Sequence, residues 1–556
     1  MMRRLVQPSL SRGSASVLRS LVAAGCTALL MSSWTATPVA AQNADPDFSF
    51  AFSTFKQTIA ESIGVDETLA AFYRARDFEP VWTGPDDIHR ARRAALLEAI
   101  RMADDHGLPV TRYDAAGLMA QMRGARSGRA RAEAEMALTQ AYLRFAHDLQ
   151  SGILDPGKID SDIKRVLPRR DAQTLLTTLI SGDPQAAMRA LIPSSPEYSR
   201  LMRAKLMLEH RIAHGGWGPA VPERKLEPGQ AGNAVVALRN RLTAMGYLRP
   251  HLGATYDARM TEAVRSFQAD HGLEQDGVAG ASTIREINVA PEERLKSVIV
   301  AMERERWINL PDGLGERHIK VNLTDFHAEI IDDNKLTFQT RSVIGHQDYD
   351  RRTPEFSDEM THMVINPYWF VPRSIIVGEY LPKLRANPGA VGHLQLIDSR
   401  GRVVGRGQSF AGYSARSFPY SMRQPPGPRN ALGTVKFMFP NKYNIYLHDT
   451  PAKSLFSREV RTYSHGCVRL NDPHDFAYAL LAKQQDDPEG YFNRILRSGQ
   501  NTRVNLDTPI PVHLIYRTAF TRAKGQVNFR RDMYGRDAKI WNALANTGVA
   551  LRTGQG

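Results

Sequence analysis

Cysteine is almost absent: Cys26 and Cys467 are the two in 556 residues, so no disulfide framework can be built. Long apolar runs are absent too. Beyond the first forty residues nothing reaches the ~20 uninterrupted apolar positions that a bilayer-crossing helix needs, which excludes a membrane bundle. Blocks of like charge are also missing, and the net positive charge reads as spread over several surfaces. What is present is ordinary globular composition, 42% hydrophobic and 23% charged, unlike a disordered polymer. At roughly 150 residues per domain the length implies three or four units.

The N-terminus stands apart. Arg3, Arg4, Arg12 and Arg19 precede an apolar run from Leu21 to Met31, and small residues follow to Val39-Ala40-Ala41. That order reads as a secretory signal over residues 1–41, cleaved after Ala41. Two alternatives remain: an uncleaved segment holding the protein at the inner membrane, and a lipoprotein site at Ala23-Ala24-Gly25-Cys26. Removing residues 1–41 lowers the formal charge from +14 to +10. A basic exported protein suits an anionic polymer such as a membrane surface or carboxylate-rich peptidoglycan, while export argues against nucleic acid. Cys467 is then one thiol in an oxidising compartment, a liability unless it is buried or employed.

Residues 42–225 read as a helical scaffold, with helical apolar spacing in stretches such as Ala91–Met102 and Arg131–Gln150. His106, His147 and His214 are lone histidines, expected to be structural. Turn-rich segments at Gly215–Pro219 and Glu227-Pro228-Gly229 introduce a compact module, residues 226–290. Val235, Leu238, Leu242 and Met245 form one helical stripe and Ala263, Val264 and Phe267 a second. Asp276-Gly277 makes a turn before a third short helix from Thr283. With its Gly232-x-x-Val235-x-x-Leu238 opening, the Gly246-Tyr247 pair, Phe267-Gln268 and Gly280, this module resembles the three-helix peptidoglycan-binding domain. Arg239 stands where that family often has glutamine, and a vestigial spacer is the alternative to a binding role.

From about residue 318 the apolar period changes to two. Ile319, Val321 and Leu323, then Ala328 and Ile330, and later Val364 alternate as strands do, with Asp333-Asn334 as a hairpin turn and Val512–Tyr516 as a late strand. Residues 291–545 therefore read as a β-rich catalytic domain, followed by a tail at 546–556. The Pro/Gly-rich stretch 367–428, containing Trp369, reads as an inserted lid. The expected fold class is multidomain α+β.

The chemistry is concentrated in Asn444–Pro451 and Tyr463–Leu470. Alternation places Tyr446 and His448 on one strand face, open to substrate. A thiol near pKa 8.5 needs a base or positive charge to become nucleophilic. His448 can supply it, with Asp449 or a backbone carbonyl fixing its tautomer. Gly466 lets the backbone bend, so that the Gly466 and Cys467 amides can form an oxyanion hole. Zinc on His448, His465, Cys467 and His474 matches no usual ligand spacing.

The segment His448, fifteen residues, then Ser464-His465-Gly466-Cys467 resembles the YkuD-type L,D-transpeptidase signature. Asn430–Gly433, His448–Pro451, Leu455-Phe456 and Val468-Arg469-Leu470 are similar to its large Gram-negative, YcbB-like branch. That resemblance implies Cys467 as nucleophile, His448 as base and His465 as a structural or substrate-orienting residue. Arg469 replaces the asparagine of many relatives, and reads equally as a partner for a substrate carboxylate or for a salt bridge within the fold. Tyr446, Ser464 and Trp369 complete the expected substrate contacts. The implied reaction is attack on a tetrapeptide stem, loss of D-alanine and 3→3 crosslinking of peptidoglycan through a thioester, in the periplasm, without metal or organic cofactor. The implied partners are stem peptides, glycan strands and other cell-wall enzymes, and carbapenems are the implied inhibitors. An L,D-carboxypeptidase or endopeptidase would use the same residues, and a non-catalytic wall-binding scaffold is the reading from another class.

Overall fold

The structure is a computed structural model that describes residues 46–522 and 525–552, with side chains from residue 54. The expected export signal, with Cys26, lies outside the described residues, as do residues 553–556 of the expected tail. The chain divides into two units, Met1–Phe50 and Ala51–Gly556, and the second is described below. Among the described residues no helix is long and apolar enough to cross a membrane.

The helical region is built on Glu67–Ala75, Asp87–Arg101, Gly128–Ser151, Ala172–Ser181 and Pro196–Ala213. Ser127 caps the long helix by accepting from the Ala130 N–H, and Gly152 at φ +88° ends it. Its inner face buries Tyr142 and Phe145 against Tyr73 and Trp82. The buried Glu135 carboxylate accepts backbone N–H bonds from Val81, Trp82 and Thr83, which satisfies a loop that crosses the core. His106 is buried and shares a hydrogen bond with Tyr198.

The module follows as Asn233–Ala244, Ala258–Asp270 and Ala281–Ile287. Val235, Leu238, Leu242, Val264 and Phe267 form its core. Buried Gln268 reaches Asp276, the Val278 carbonyl and Thr283, and accepts from the Gly277 N–H, so one amide fixes the predicted turn.

Helix Pro291–Trp307, which the sequence places at the head of the catalytic domain, shares its core with the helical region through Val298, Ala301 and Met302. Its last turns carry Glu303, Arg304, Glu305 and Arg306, all at most 4% exposed. Each charge has a partner from a distant segment or its own turn. Arg304 meets Glu355 at 2.7 Å and Asp537 at 2.8 Å, Arg306 meets Glu303 at 2.8 Å, and Glu305 meets Arg517.

The β-rich domain is organised by β1 Arg317–Asn322, β2 His327–Asp332, β3 Lys335–Gly345 and β4 Phe356–Ile365. The lid then contributes β5 Trp369–Phe370, β6 Gln395–Ile397, β7 Val403–Val404 and β8 Ser421–Gln424. The main sheet resumes with β9 Val435–Met438, β10 Leu447–His448, β11 Thr462–Ser464, β12 Val468–Leu470 and β13 Thr502–Ile515. Strand order is β11-β3-β12-β10-β9-β4-β13-β1-β2, and a further β3–β2 pairing returns the order on itself. Asp333 and Asn334, at φ +50° and +62°, make the predicted hairpin turn between β2 and β3.

The lid is an insertion between two paired strands, since Ile365 of β4 pairs with Val435 of β9. It has its own sheet, β5-β8-β6-β7, and a core of Ile376, Leu384, Leu396, Phe410 and Met422. Buried Asn430 closes its base, donating to the carbonyls of Pro367 and Pro425 at the two ends of the insertion. The positive charge is less evenly spread than the sequence reading held: residues 367–428 carry eight Lys/Arg against Glu379 and Asp398. Arg373 and Arg406 bind lid carbonyls, while Lys383, Arg385, Arg400 and Arg416 lie exposed.

Candidate active site

Cys467 sits in the turn between β11 and β12, and His448 on the adjacent β10. β10 and β12 run parallel, with Leu447 opposite Val468 and His448 opposite Arg469. Leu447, Val468 and Leu470 enter the core, so Tyr446, His448, Cys467 and Arg469 project on the other face. His448 and Cys467 are diagonal neighbours across this strand pair, a relation that leaves long side chains in reach. Among the described contacts the thiol donates to the Asn444 carbonyl at 3.5 Å and has no hydrogen bond to His448.

Backbone geometry at the turn is held by named contacts. Gly466 adopts φ +112°, which other residues rarely occupy. Its carbonyl accepts from Thr353 Oγ1 at 2.7 Å, and its N–H donates to Ser464 Oγ at 3.1 Å. Two expectations change as a result. The Gly466 amide is engaged, whereas the Cys467 N–H has no partner among the described residues. Ser464 is 2% exposed, and its hydroxyl is used by Gly466 and the Cys467 carbonyl, so it shapes the turn and is not available to substrate.

His448 Nδ1 bonds the Asp449 carbonyl, which requires the proton on Nδ1 and leaves Nε2 with its lone pair outward. The Asp449 carboxylate faces away from the imidazole, accepting from the Thr434 N–H and hydroxyl and from Lys453 at 2.9 Å. Gly433 makes room for it, since a Cβ there would sit 2.2 Å from Asp449 Oδ2. The tautomer is therefore set by a backbone carbonyl, and the carboxylate braces the loop.

The face expected to lie open is covered. Tyr446 and His448 do share it, with ring centroids 5.6 Å apart, but His448 is 4% exposed. Arg469 flanks it on β12, and Lys436, its register partner on β9, flanks the other side. Burial, then the Arg469 charge, lowers the imidazole to about 3, so it is neutral at pH 7. Burial pushes the Cys467 thiol up to about 11, against hydrogen bonding from the Tyr446 backbone and hydroxyl and the charges of Arg469 and Lys436. The resting pair is thus neutral thiol and neutral imidazole, with about one thiol in ten thousand ionised at pH 7. Alkylation of Cys467 by iodoacetamide is expected to accelerate about tenfold per pH unit between pH 7 and 10. A rate that levels off below pH 8 contradicts this.

His465 donates Nε2–H to Glu379 of the lid at 2.6 Å, linking the turn to the insertion. Trp369 packs on the lid core, its ring 6.4 Å from Tyr380. Arg469 has no salt bridge among the described residues, and its Nε is buried without a partner. Sequence reasoning missed Lys436, Thr353 and Glu379, and gave Asn444, which opens the segment it singled out, no role. Of these only Lys436 carried a signal, as the residue alternating with core positions Val435 and Phe437. A cavity of about 780 Å³ lies elsewhere, among helix Pro196–Ala213, the module and residues such as Arg522 and Phe529.

Three segments of the chain match known families. Residues 316–505 match the YkuD family, described as "L,D-transpeptidase catalytic domain", whose members are acyltransferases. Residues 67–204 match a "Scaffold domain" and residues 231–287 a "Putative peptidoglycan binding domain". A Haemophilus influenzae protein named "Putative L,D-transpeptidase" is 33% identical over 243 residues, covering 43% of this chain and 48% of that protein, so the chain spans about half the length of this curated relative. The solved L,D-transpeptidase of Xylanimonas cellulosilytica is 15% identical, covering 54% of this chain and 98% of the other, with a TM-score of 0.17. That of Stackebrandtia nassauensis is 14% identical, covering 54% and 97%, with a TM-score of 0.21. Residues 316–505 are thus similar to the YkuD L,D-transpeptidase catalytic domain, and the segments before them to a scaffold domain and a peptidoglycan-binding domain.

Proposed function

We propose that the protein is a peptidoglycan L,D-transpeptidase that forms 3→3 crosslinks through a thioester on Cys467. The observation that carries this is a neutral thiol and a neutral imidazole with free Nε2 on one sheet face, beside the unengaged Cys467 N–H. Cys467 attacks the carbonyl of the third stem residue while its proton passes to His448 Nε2. The S–C bond forms, the C–N bond breaks, and His448 returns the proton to the amine of the departing D-alanine. An acceptor side-chain amine then attacks the thioester, losing its proton to His448 and releasing the thiol. The Cys467 N–H steadies the oxyanion in both steps, a contribution of about 3 kcal/mol for a single donor.

The lid supports transfer over hydrolysis, because an ordered cap touching the turn through Glu379 and His465 restricts water. Its excess of arginine and lysine suits a carboxylate-rich polymer. The basic, apolar and small-residue order of residues 1–41 supports export and work in the periplasm, against the wall. Incubation of the mature protein with disaccharide-tetrapeptide, read by mass spectrometry, is expected to give dimers lacking one D-alanine. Tripeptides alone would make it a carboxypeptidase, and unchanged substrate would leave the wall-binding scaffold.

A further inference from the structure

β-sheet register places three side chains in one row: Lys436 on β9, His448 on β10 and Arg469 on β12. Direct cross-strand partners share a face, with Cβ atoms ~5 Å apart. Val435, Phe437, Leu447, Val468 and Leu470, which alternate with them, all enter the core, so the row projects to the thiol side. Two half-buried cations therefore flank the imidazole. Neither has a carboxylate partner among the described residues: Lys436 lies 5.7 Å over the Tyr446 ring, and the Arg469 Nε is buried and unbonded. The neighbouring carboxylate, Asp449, is already held by Lys453 and Thr434.

Two uncompensated charges in one half-buried row call for an anion from outside. The reaction supplies one at that place. His448 must protonate the departing amine, and in a terminal amino acid the carboxylate lies two bonds from that nitrogen. The carboxylate then falls within about one strand spacing, ~4.8 Å, of the imidazole. The planar guanidinium fork and the ammonium point charge are both suited to hold it.

We propose that Lys436 and Arg469 form a carboxylate subsite that seats the C-terminal carboxylate of the residue expelled during acylation, and so sets the length of the donor stem. This rests on the acyl-transfer reading above. A stem longer by one residue carries its carboxylate about 3.5 Å further along, beyond the row, and leaves both cations unpaired. Lys436 is a specificity-determining residue.

The test uses the full mature protein and three synthetic donors: a disaccharide-tetrapeptide acid, its C-terminal amide, and the pentapeptide acid. Wild type is expected to prefer the tetrapeptide acid by about 10- to 100-fold in kcat/KM. Lys436→Met and Arg469→Met are each expected to raise KM for that donor about tenfold or more, with the smaller change in kcat, and to draw the acid-to-amide ratio toward one. Unaltered thermal midpoints show that the variants fold. Folded variants that keep the wild-type ratio, or a wild type that uses acid and amide equally well, overturn the subsite while leaving acyl transfer standing. A wild type that consumes none of the donors overturns both.

Discussion

His448→Ala is expected to lower kcat at pH 7 by about 10²- to 10⁴-fold, the range lost with a positioned general base. The size follows from the thiol. Held at about 11 by burial, it offers almost no thiolate at neutral pH, so the proton must leave during attack, and Nε2 of the neutral imidazole is the acceptor on the same face. The variant is also expected to gain activity steadily as pH rises toward 11, because direct ionisation then replaces the missing base. Wild type, in contrast, stays nearly flat above pH 5, since its imidazole gains a proton only near 3. Rate measurements from pH 6 to 10 separate the two profiles. A variant within tenfold of wild type at pH 7 contradicts the assignment of the base.

The second large effect is on stability. Glu355→Ala is expected to cost about 3–5 kcal/mol in urea unfolding, the penalty for breaking a buried ion pair from one side. Glu355 is 2% exposed and stands where the helical region meets the sheet. Its backbone N–H donates to Asp162, and its carbonyl accepts from Lys164. Its carboxylate takes Arg304 at 2.7 Å and Arg536 at 3.2 Å. Arg536 also donates to the Thr353 carbonyl at 3.0 Å, and Thr353 Oγ1 holds the Gly466 carbonyl. Loss of the carboxylate therefore loosens the support of the Cys467 turn, and kcat of the folded variant is expected to fall as well. A loss below 1 kcal/mol would show that the neighbouring Asp162 and Asp537 suffice.

That Cys467 and His448 lie on adjacent strands was legible because it rests on local features: a strand alternating Ile445, Tyr446, Leu447 and His448, and a glycine next to a lone cysteine. The β2–β3 hairpin and the three-helix module were legible for the same reason, as turn residues at fixed offsets. Long-range pairings were not. Glu303–Arg306 is four consecutive charges in the sequence, and only the fold brings Glu355, Arg517 and Asp537 to neutralise them. Ser464 and Asp449 read as site residues by position, yet their side chains brace backbone, a matter of rotamer and neighbour that spacing does not carry. Lys436 lies twelve residues before His448 and becomes its neighbour only when β9 and β10 pair.

The most direct measurement is the intact mass of the mature protein mixed rapidly with disaccharide-tetrapeptide at limiting acceptor, followed by peptide mapping. A thioester adduct of the stem minus D-alanine is expected on Cys467, absent in Cys467→Ala and discharged by added amine. An adduct on another residue, or D-alanine release that persists in Cys467→Ala, would contradict the account.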